Sequence, residues 1–133
     1  LSIMVGATPQ TFSRIEPLLR HMASEVTHCG EAGAGQTVKI MNNMILFQTV
    51  VALAEGLSIA RANGVDGKVL FETLTKGSAD SFALRNHGMK AMLPGKFPER
   101  AYSTLYALKD VRYALELARD AGVELSGASN ART

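Results

Sequence analysis

The chain has one cysteine, no tryptophan, four prolines and no marked excess of either charge: 14 Lys and Arg stand against 12 Asp and Glu, a formal net charge of +2 in 133 residues. Each scarcity closes off a class. A lone Cys29 cannot form an internal disulfide, which fits a reducing compartment and a cytoplasmic location. It also leaves His21 and His28 without the spaced partners of a metal centre. On a strand His28 and Cys29 face opposite sides, and no metal site is expected. The mild charge, with no Lys/Arg cluster, argues against nucleic acid as a partner. Proline is absent between Pro17 and Pro94, and glycine between Gly35 and Gly56, so an uninterrupted helix can run there. The apolar stretch 40–60 inside that interval raises the question of a membrane span. Gln48, Thr49, Glu55 and Ser58 interrupt it, and a core helix of a soluble domain is expected instead, with no membrane partner.

What is present is the make-up of a soluble globular protein, 47% hydrophobic and 20% charged, with room for one core. Residues 2–5 read as a strand and 25–29 as a second. Between them Thr8-Pro9 opens a helix, Thr as the cap and Pro at the first helical position. Phe12, Ile15, Leu19 and Met22 recur at helical spacing, and Pro17 is expected to break the run into two short pieces. This β-α-β piece has the form of the tail of an α/β domain. Residues 35–63 read as one long helix, apolar almost all round, ended by Asn63-Gly64 with glycine in a left-handed cap. Ala52, Ala54, Gly56, Ala60 and Ala62 make its second half small-sided, and that half is expected to be buried between neighbouring helices. A third helix over 66–75 points Val69, Leu70 and Leu74 inward. A cap at 78–81 leads to a helix over 81–92, in which His87 is expected to be a satisfied structural histidine. A loop over 93–98 follows, then a helix from 105 to Gly122 with a stripe of Leu108, Val111, Leu115 and Ala118. Lys109-Asp110, early on that helix, suits a solvated charge pair. The fold class is mainly α, built around one long central helix and preceded by a short β-α-β. The chain opens on Leu1 and a β-rich run and stops at 129–133 with no closing element, as expected of a piece of a longer protein.

The stretch from Gly33 to Asn43 is the most informative. Lys39 and Asn43, four apart, share a helix face one turn from each other, and Phe47 and Val50 continue that face as an apolar floor. A position near a helix N-terminus and partial burial both disfavour a charged ammonium. That is the direction required of a group that takes and gives a proton near neutral pH. Asn43 offers a donor and an acceptor beside it. The same spacing is met more often as a lysine snorkelling to solvent and an asparagine filling a polar gap.

Gly-x-Gly-x-x-x-Lys-x-x-x-Asn, carried by Gly33, Gly35, Lys39 and Asn43, resembles the signature that opens the long C-terminal helix of the β-hydroxyacid dehydrogenases. That family includes 3-hydroxyisobutyrate dehydrogenase, tartronate semialdehyde reductase and, more distantly, 6-phosphogluconate dehydrogenase. Ala54-Glu55-Gly56-Leu57 with Gly64-Val65-Asp66, then Gly77-Ser78-Ala79-x-Ser81, then Lys109-Asp110, resemble three further family segments in the right order. The resemblance covers nearly the whole chain. It implies that residues 1–32 are the C-terminal remnant of an NAD(P)-binding Rossmann domain. It implies that 33–133 form a helical substrate and dimerisation domain, truncated at its end. Gly33-x-Gly35 is not a dinucleotide fingerprint, since it lacks the third glycine and the βαβ setting.

By resemblance, Lys39 is the acid/base of a hydride transfer between nicotinamide and a small hydroxyacid or semialdehyde. Asn43 binds the substrate and keeps the lysine aimed, Tyr102 lines the pocket, Lys109 approaches the cofactor and Asp110 anchors that corner. The cofactor is NAD or NADP, and its phosphate loop belongs to the missing part of the Rossmann domain. Asn42 stands where 6-phosphogluconate dehydrogenase has His, which implies a short substrate rather than a sugar phosphate. The fragment alone is expected to be inactive, and the parent a homo-oligomer through the long helix. The other reading from a different class is a non-catalytic helical dimerisation or interaction module.

Overall fold

The structure, a computed structural model, describes residues 1–97, 99 and 103–132. Its contacts fall into two compact units, Leu1–Asn42 and Asn43–Thr133.

In the first unit β1 (Ser2–Gly6) pairs in parallel with β2 (Glu25–Gly30), in register from Ser2 opposite Glu25 to Val5 opposite His28, with a shift before Gly6. Parallel neighbours need a crossover, and α1 (Pro9–Leu19) supplies it. Thr8 Oγ1 accepts from the Thr11 N–H at 3.3 Å, and Pro9 occupies the first helical position. Pro17 does not split α1, contrary to expectation. It lies in the final turns, where it deprives only the Ser13 carbonyl of its helical donor. His28 is tied locally: Nε2–H donates to the Ala7 carbonyl at 2.7 Å, and the ring stacks on Phe12 at 4.7 Å.

Helix α2 (Ala34–Ala62) begins where Gly33 turns with φ 95°. Gly35 is pressed against β1. A Cβ there would overlap the Met4 carbonyl oxygen and stand 2.9 Å from the Gly6 amide. Glycine is therefore required by the close approach of two backbones.

In the second unit the remainder of α2 ends as the sequence predicts. Gly64 has φ 77°, and the Val65 N–H returns to the Ala60 carbonyl at 2.9 Å. Asp66 then caps α3 (Gly67–Leu74), its Oδ1 accepting from the Lys68 and Val69 amides at 2.9 and 3.1 Å. The core gathers Leu53 and Leu57 of α2, Phe71 of α3, and Ala83 and Leu84, with Leu70, Leu74 and Met89 packed around them. Phe71 has no exposure at all, whereas Val69, expected inward, is 58% exposed. The eight-residue helix has room for one inward ridge, and the largest ring takes its centre.

The helix expected over 81–92 has the correct cap, Ser81 Oγ accepting from the Leu84 N–H at 3.1 Å. Its body is different: Leu84–Met92 is a π-helix. Its continuation shows the same five-residue reach, the Leu93 N–H returning to the Gly88 carbonyl at 2.9 Å. Gly88 faces the Phe71 ring, whose Cε2 lies 3.1 Å from where a Cβ would stand. The wide turn thus sits where Gly88 packs closely against α3, a local demand that an i→i+4 pattern does not encode.

Two further differences concern exposure and the end of the chain. The small-sided half of α2 is not enclosed among the described residues. Leu53 and Leu57 are buried, but Ala52, Ala54, Gly56 and Ala62 are exposed, and Ile45 and Ile59 are 59% and 64% exposed. Only one ridge of the rod meets neighbours here, so its all-round apolarity is left uncovered. By length and composition α2 could also cross a bilayer.

Helix α4 (Thr104–Asp120) is capped by Ser103 and closed by Gly122 with φ 69°, and it buries Val111, Ala114 and Ala118. The final stretch carries a short helix, α5 (Ser126–Ala131), that the sequence did not announce. Ala128 is buried, and Gly127 lies so close to Gln48 that a Cβ would overlap its Oε1. A run of Ser, Gly, Ala and Asn has no apolar stripe, so this helix carries no periodic signal.

Candidate functional site

Asp110 is the one buried charged side chain among the described residues, 7% exposed. Burying a carboxylate is costly unless its oxygens are engaged, and both are. Oδ2 accepts from Asn43 Nδ2 of α2 at 2.7 Å, and Oδ1 meets the Lys109 ammonium at 3.1 Å. One amide N–H committed to Asp110 fixes the orientation of the Asn43 carboxamide, and with it the direction of its carbonyl. The Lys109-Asp110 pair is therefore not the solvated pair that its place near a helix start suggests.

Lys109 is held without being enclosed. Its side chain is 43% exposed, and its ammonium stands 5.7 Å from the Tyr106 ring centroid and 5.5 Å from that of Tyr113. A cation fixed by a carboxylate and two ring faces, yet open to solvent, has the chemistry to receive an anionic or hydroxyl-rich ligand. The two tyrosines escaped the sequence reading. The signal for them was the spacing, three residues before and four after the lysine.

Of the residues expected to carry the chemistry, the structure brings together Asn43, Lys109 and Asp110. Lys39 lies in the first unit, one helical turn before Asn43 along α2. It is exposed rather than half-buried, as are Gln36, Thr37 and Val38 beside it. That turn of α2 has no covering layer among the described residues. Tyr102 lies outside the described residues. An open depression lined by Arg61, Val65, Asp66, Lys68 and Leu93 contains none of these residues.

Comparison with known proteins identifies the family. The family model for the NAD-binding domain of NADP-dependent 3-hydroxyisobutyrate dehydrogenase matches residues 33–133. A probable 3-hydroxyisobutyrate dehydrogenase of Mycobacterium tuberculosis is 32% identical over 124 residues, covering 87% of this chain and 41% of the relative. A 2-(hydroxymethyl)glutarate dehydrogenase of Eubacterium barkeri is 33% identical over 125 residues, covering 94% and 41% respectively. Among solved structures, 3-hydroxyisobutyrate dehydrogenase from Salmonella typhimurium superimposes with a TM-score of 0.86 at 26% identity, covering 98% of this chain and 46% of its own. The M. tuberculosis 3-hydroxyisobutyrate dehydrogenase with L-serine gives 0.83 at 29% identity, covering 97% and 46%. The chain thus spans less than half the length of the relatives it matches. With a family match over residues 33–133, the chain belongs to the 3-hydroxyisobutyrate dehydrogenase family, through its NAD-binding domain.

Proposed function

We propose that this chain is the helical part of an NAD(P)-dependent β-hydroxyacid dehydrogenase, preceded over residues 1–32 by the last β-α-β of a Rossmann domain. The observation that carries the reading is the Asn43–Asp110–Lys109 network. It places a fixed amide and a fixed cation on the helices that bear the family match. A dinucleotide held on the side of Lys109 would supply hydride chemistry at the hydroxyl-bearing carbon. Lys39 takes the hydroxyl proton on oxidation and returns one to the carbonyl oxygen on reduction, so proton and hydride move together. Asn43 hydrogen-bonds the substrate, and the family resemblance gives Tyr102 a substrate-binding role. Asp110 sets the angle of Asn43 and anchors Lys109, whose charge would help to hold the dinucleotide.

What the relatives' names and a neighbour's bound molecule share supports a substrate class. 3-Hydroxyisobutyrate, 2-(hydroxymethyl)glutarate and L-serine are all carboxylates with a hydroxymethyl group on the adjacent carbon. A small acid of that pattern, or the semialdehyde it yields, is the substrate proposed here. The enzyme is a cytoplasmic homo-oligomer in this reading, with the exposed apolar face of α2 covered by protein rather than lipid. The test is turnover of such acids by the full-length protein with NAD and NADP, and its loss in Lys39→Ala. That variant should lose about 10²- to 10⁴-fold in kcat with dinucleotide affinity near normal. A variant that keeps most of its kcat removes Lys39 from the chemistry.

One observation also favours a scaffold role: Ile45 and Ile59 are 59% and 64% exposed on a long helix. A helical dimerisation module explains that face without chemistry. Full-length protein that self-associates but turns over no hydroxyacid with either dinucleotide selects it.

A further inference from the structure

Tyr106 and Tyr113 lie three residues before and four after Lys109, so both rings share its face of α4. The ammonium sits over both, at 5.7 and 5.5 Å from their centroids, while the Asp110 carboxylate meets it at 3.1 Å. Successive residues on an α-helix point about 100° apart. Lys109 therefore reaches the carboxylate of the very next residue only with its stem bent across the helix surface. Left alone, a lysine is a flexible four-carbon stem carrying a strongly hydrated charge, and it samples many positions. Two ring faces within reach of the ammonium supply what the ion pair lacks, a further limit on the bent stem. Neither ring is buried in the core: Tyr106 is 60% and Tyr113 38% exposed. Arg112 also lies over Tyr113, at 5.7 Å, and its guanidinium leans on Glu116 at 3.4 Å.

We propose that Tyr106 and Tyr113 are positioning residues that clamp the Lys109 ammonium at one point, ready for the anionic and hydroxyl groups of a dinucleotide. The role of the dinucleotide rests on the function proposed above; the clamp stands on the ring geometry alone. A cation over an exposed ring gains a factor of about two to five, so two rings together hold the ammonium by roughly five- to twenty-fold.

The experiment uses the full-length protein and five variants: Tyr106→Leu with Tyr113→Leu, Tyr106→Phe with Tyr113→Phe, each Leu change singly, and Lys109→Ala. Leu keeps an apolar helix-former without the ring face, and Phe keeps the face without the hydroxyl. One readout is the rate at which acetic anhydride acylates Lys109 without cofactor, followed by peptide mass spectrometry. The other is the Kd for NADH and NADPH from fluorescence titration. The Leu pair should acylate Lys109 about five-fold faster and bind dinucleotide roughly five- to twenty-fold more weakly, while the Phe pair stays within about two-fold of the parent. If the Leu pair does not fold, each single change should give about half that effect on a logarithmic scale. Acylation of the folded Leu variants at the parental rate overturns the clamp, as does a Phe pair indistinguishable from the Leu pair. If Lys109→Ala binds both dinucleotides as tightly as the parent while the Leu variants still free the amine, the clamp holds and the cofactor role of Lys109 falls.

Discussion

Asp110 is tied on one oxygen to an amide 67 residues earlier in the chain and on the other to its immediate neighbour. Removing it leaves an amide and an ammonium without their shared partner, and hydrogen bonds to a charged group contribute more than neutral ones. Asp110→Ala should therefore lower the unfolding free energy by about 1.5–3 kcal/mol. Urea titration measures this, and a loss within the error of an ordinary surface change would show that the tie contributes little. Sequence made part of this visible. Lys39 and Asn43 fall on one face by helix arithmetic, and Lys109 and Asp110 are adjacent. The burial of Asp110 and its bond to Asn43 were beyond reach, because no local spacing relates residues on separate helices. The exposure of Lys39 was misjudged for the same reason: a helix pattern states which residues share a face, not what covers it.

Along α2, two glycines make opposite predictions. Gly35 lies where an added Cβ would meet backbone atoms of Met4 and Gly6, while Gly56 has nothing within 4 Å. Backbone cannot swing aside as a side-chain tip can, so Gly35→Ala should destabilise by about 1–3 kcal/mol. Gly56→Ala relieves the entropic cost of glycine inside a helix and should stabilise by about 0.5–1 kcal/mol. Thermal unfolding of the two variants compares them directly; equal effects would mean that the close contact at Gly35 is not felt. A second element-scale device joins the end of α3 to the π-helix. Arg85 grips both oxygens of Asp80 at 2.8 and 2.9 Å and donates to the Thr75 carbonyl at 3.3 Å. The Arg85 hydrogen bond holds the Asp80 carboxyl below its ordinary 3.8. A depressed carboxyl contributes stability that is fully present well above its unfolded value and is lost as pH falls through the folded one. The stability difference between the parent and Arg85→Met should thus be constant at neutral pH and shrink below 3.8. Chemical denaturation across that range tests the sign. Strands, caps and most helix ends were readable, since Thr8-Pro9, Ser81 and Asn63-Gly64 act through local chemistry. The π-helix and α5 were not: one depends on a glycine lying against Phe71, the other on a small-residue run seated by Gly127 against Gln48.

At the scale of the whole molecule, the family was legible from four short segments in order, while the wetting of α2 was not. The helix has a mean hydropathy high enough to suggest full enclosure, yet 17% of its most apolar window is buried. The chain covers 41% to 46% of its relatives' length. On the proposed function, the phosphate-binding glycines lie in the other part. The purified 133-residue chain should then show no oxidation of NADH or NADPH with a semialdehyde, even where the full-length protein is active. Measurable turnover by the chain alone, checked by absorbance at the reduced nicotinamide band, contradicts that division of labour.

The parallel ribbon β1–β2 has a further consequence. Two strands that pair only with each other along the described residues present a row of amides and carbonyls on either flank, ready-made for a third. Such a rim does not stay idle in concentrated solution: it recruits extended segments from other molecules. Whatever completes this ribbon also keeps the protein from sticking to itself, so solubility and the integrity of the α/β layer are one property here.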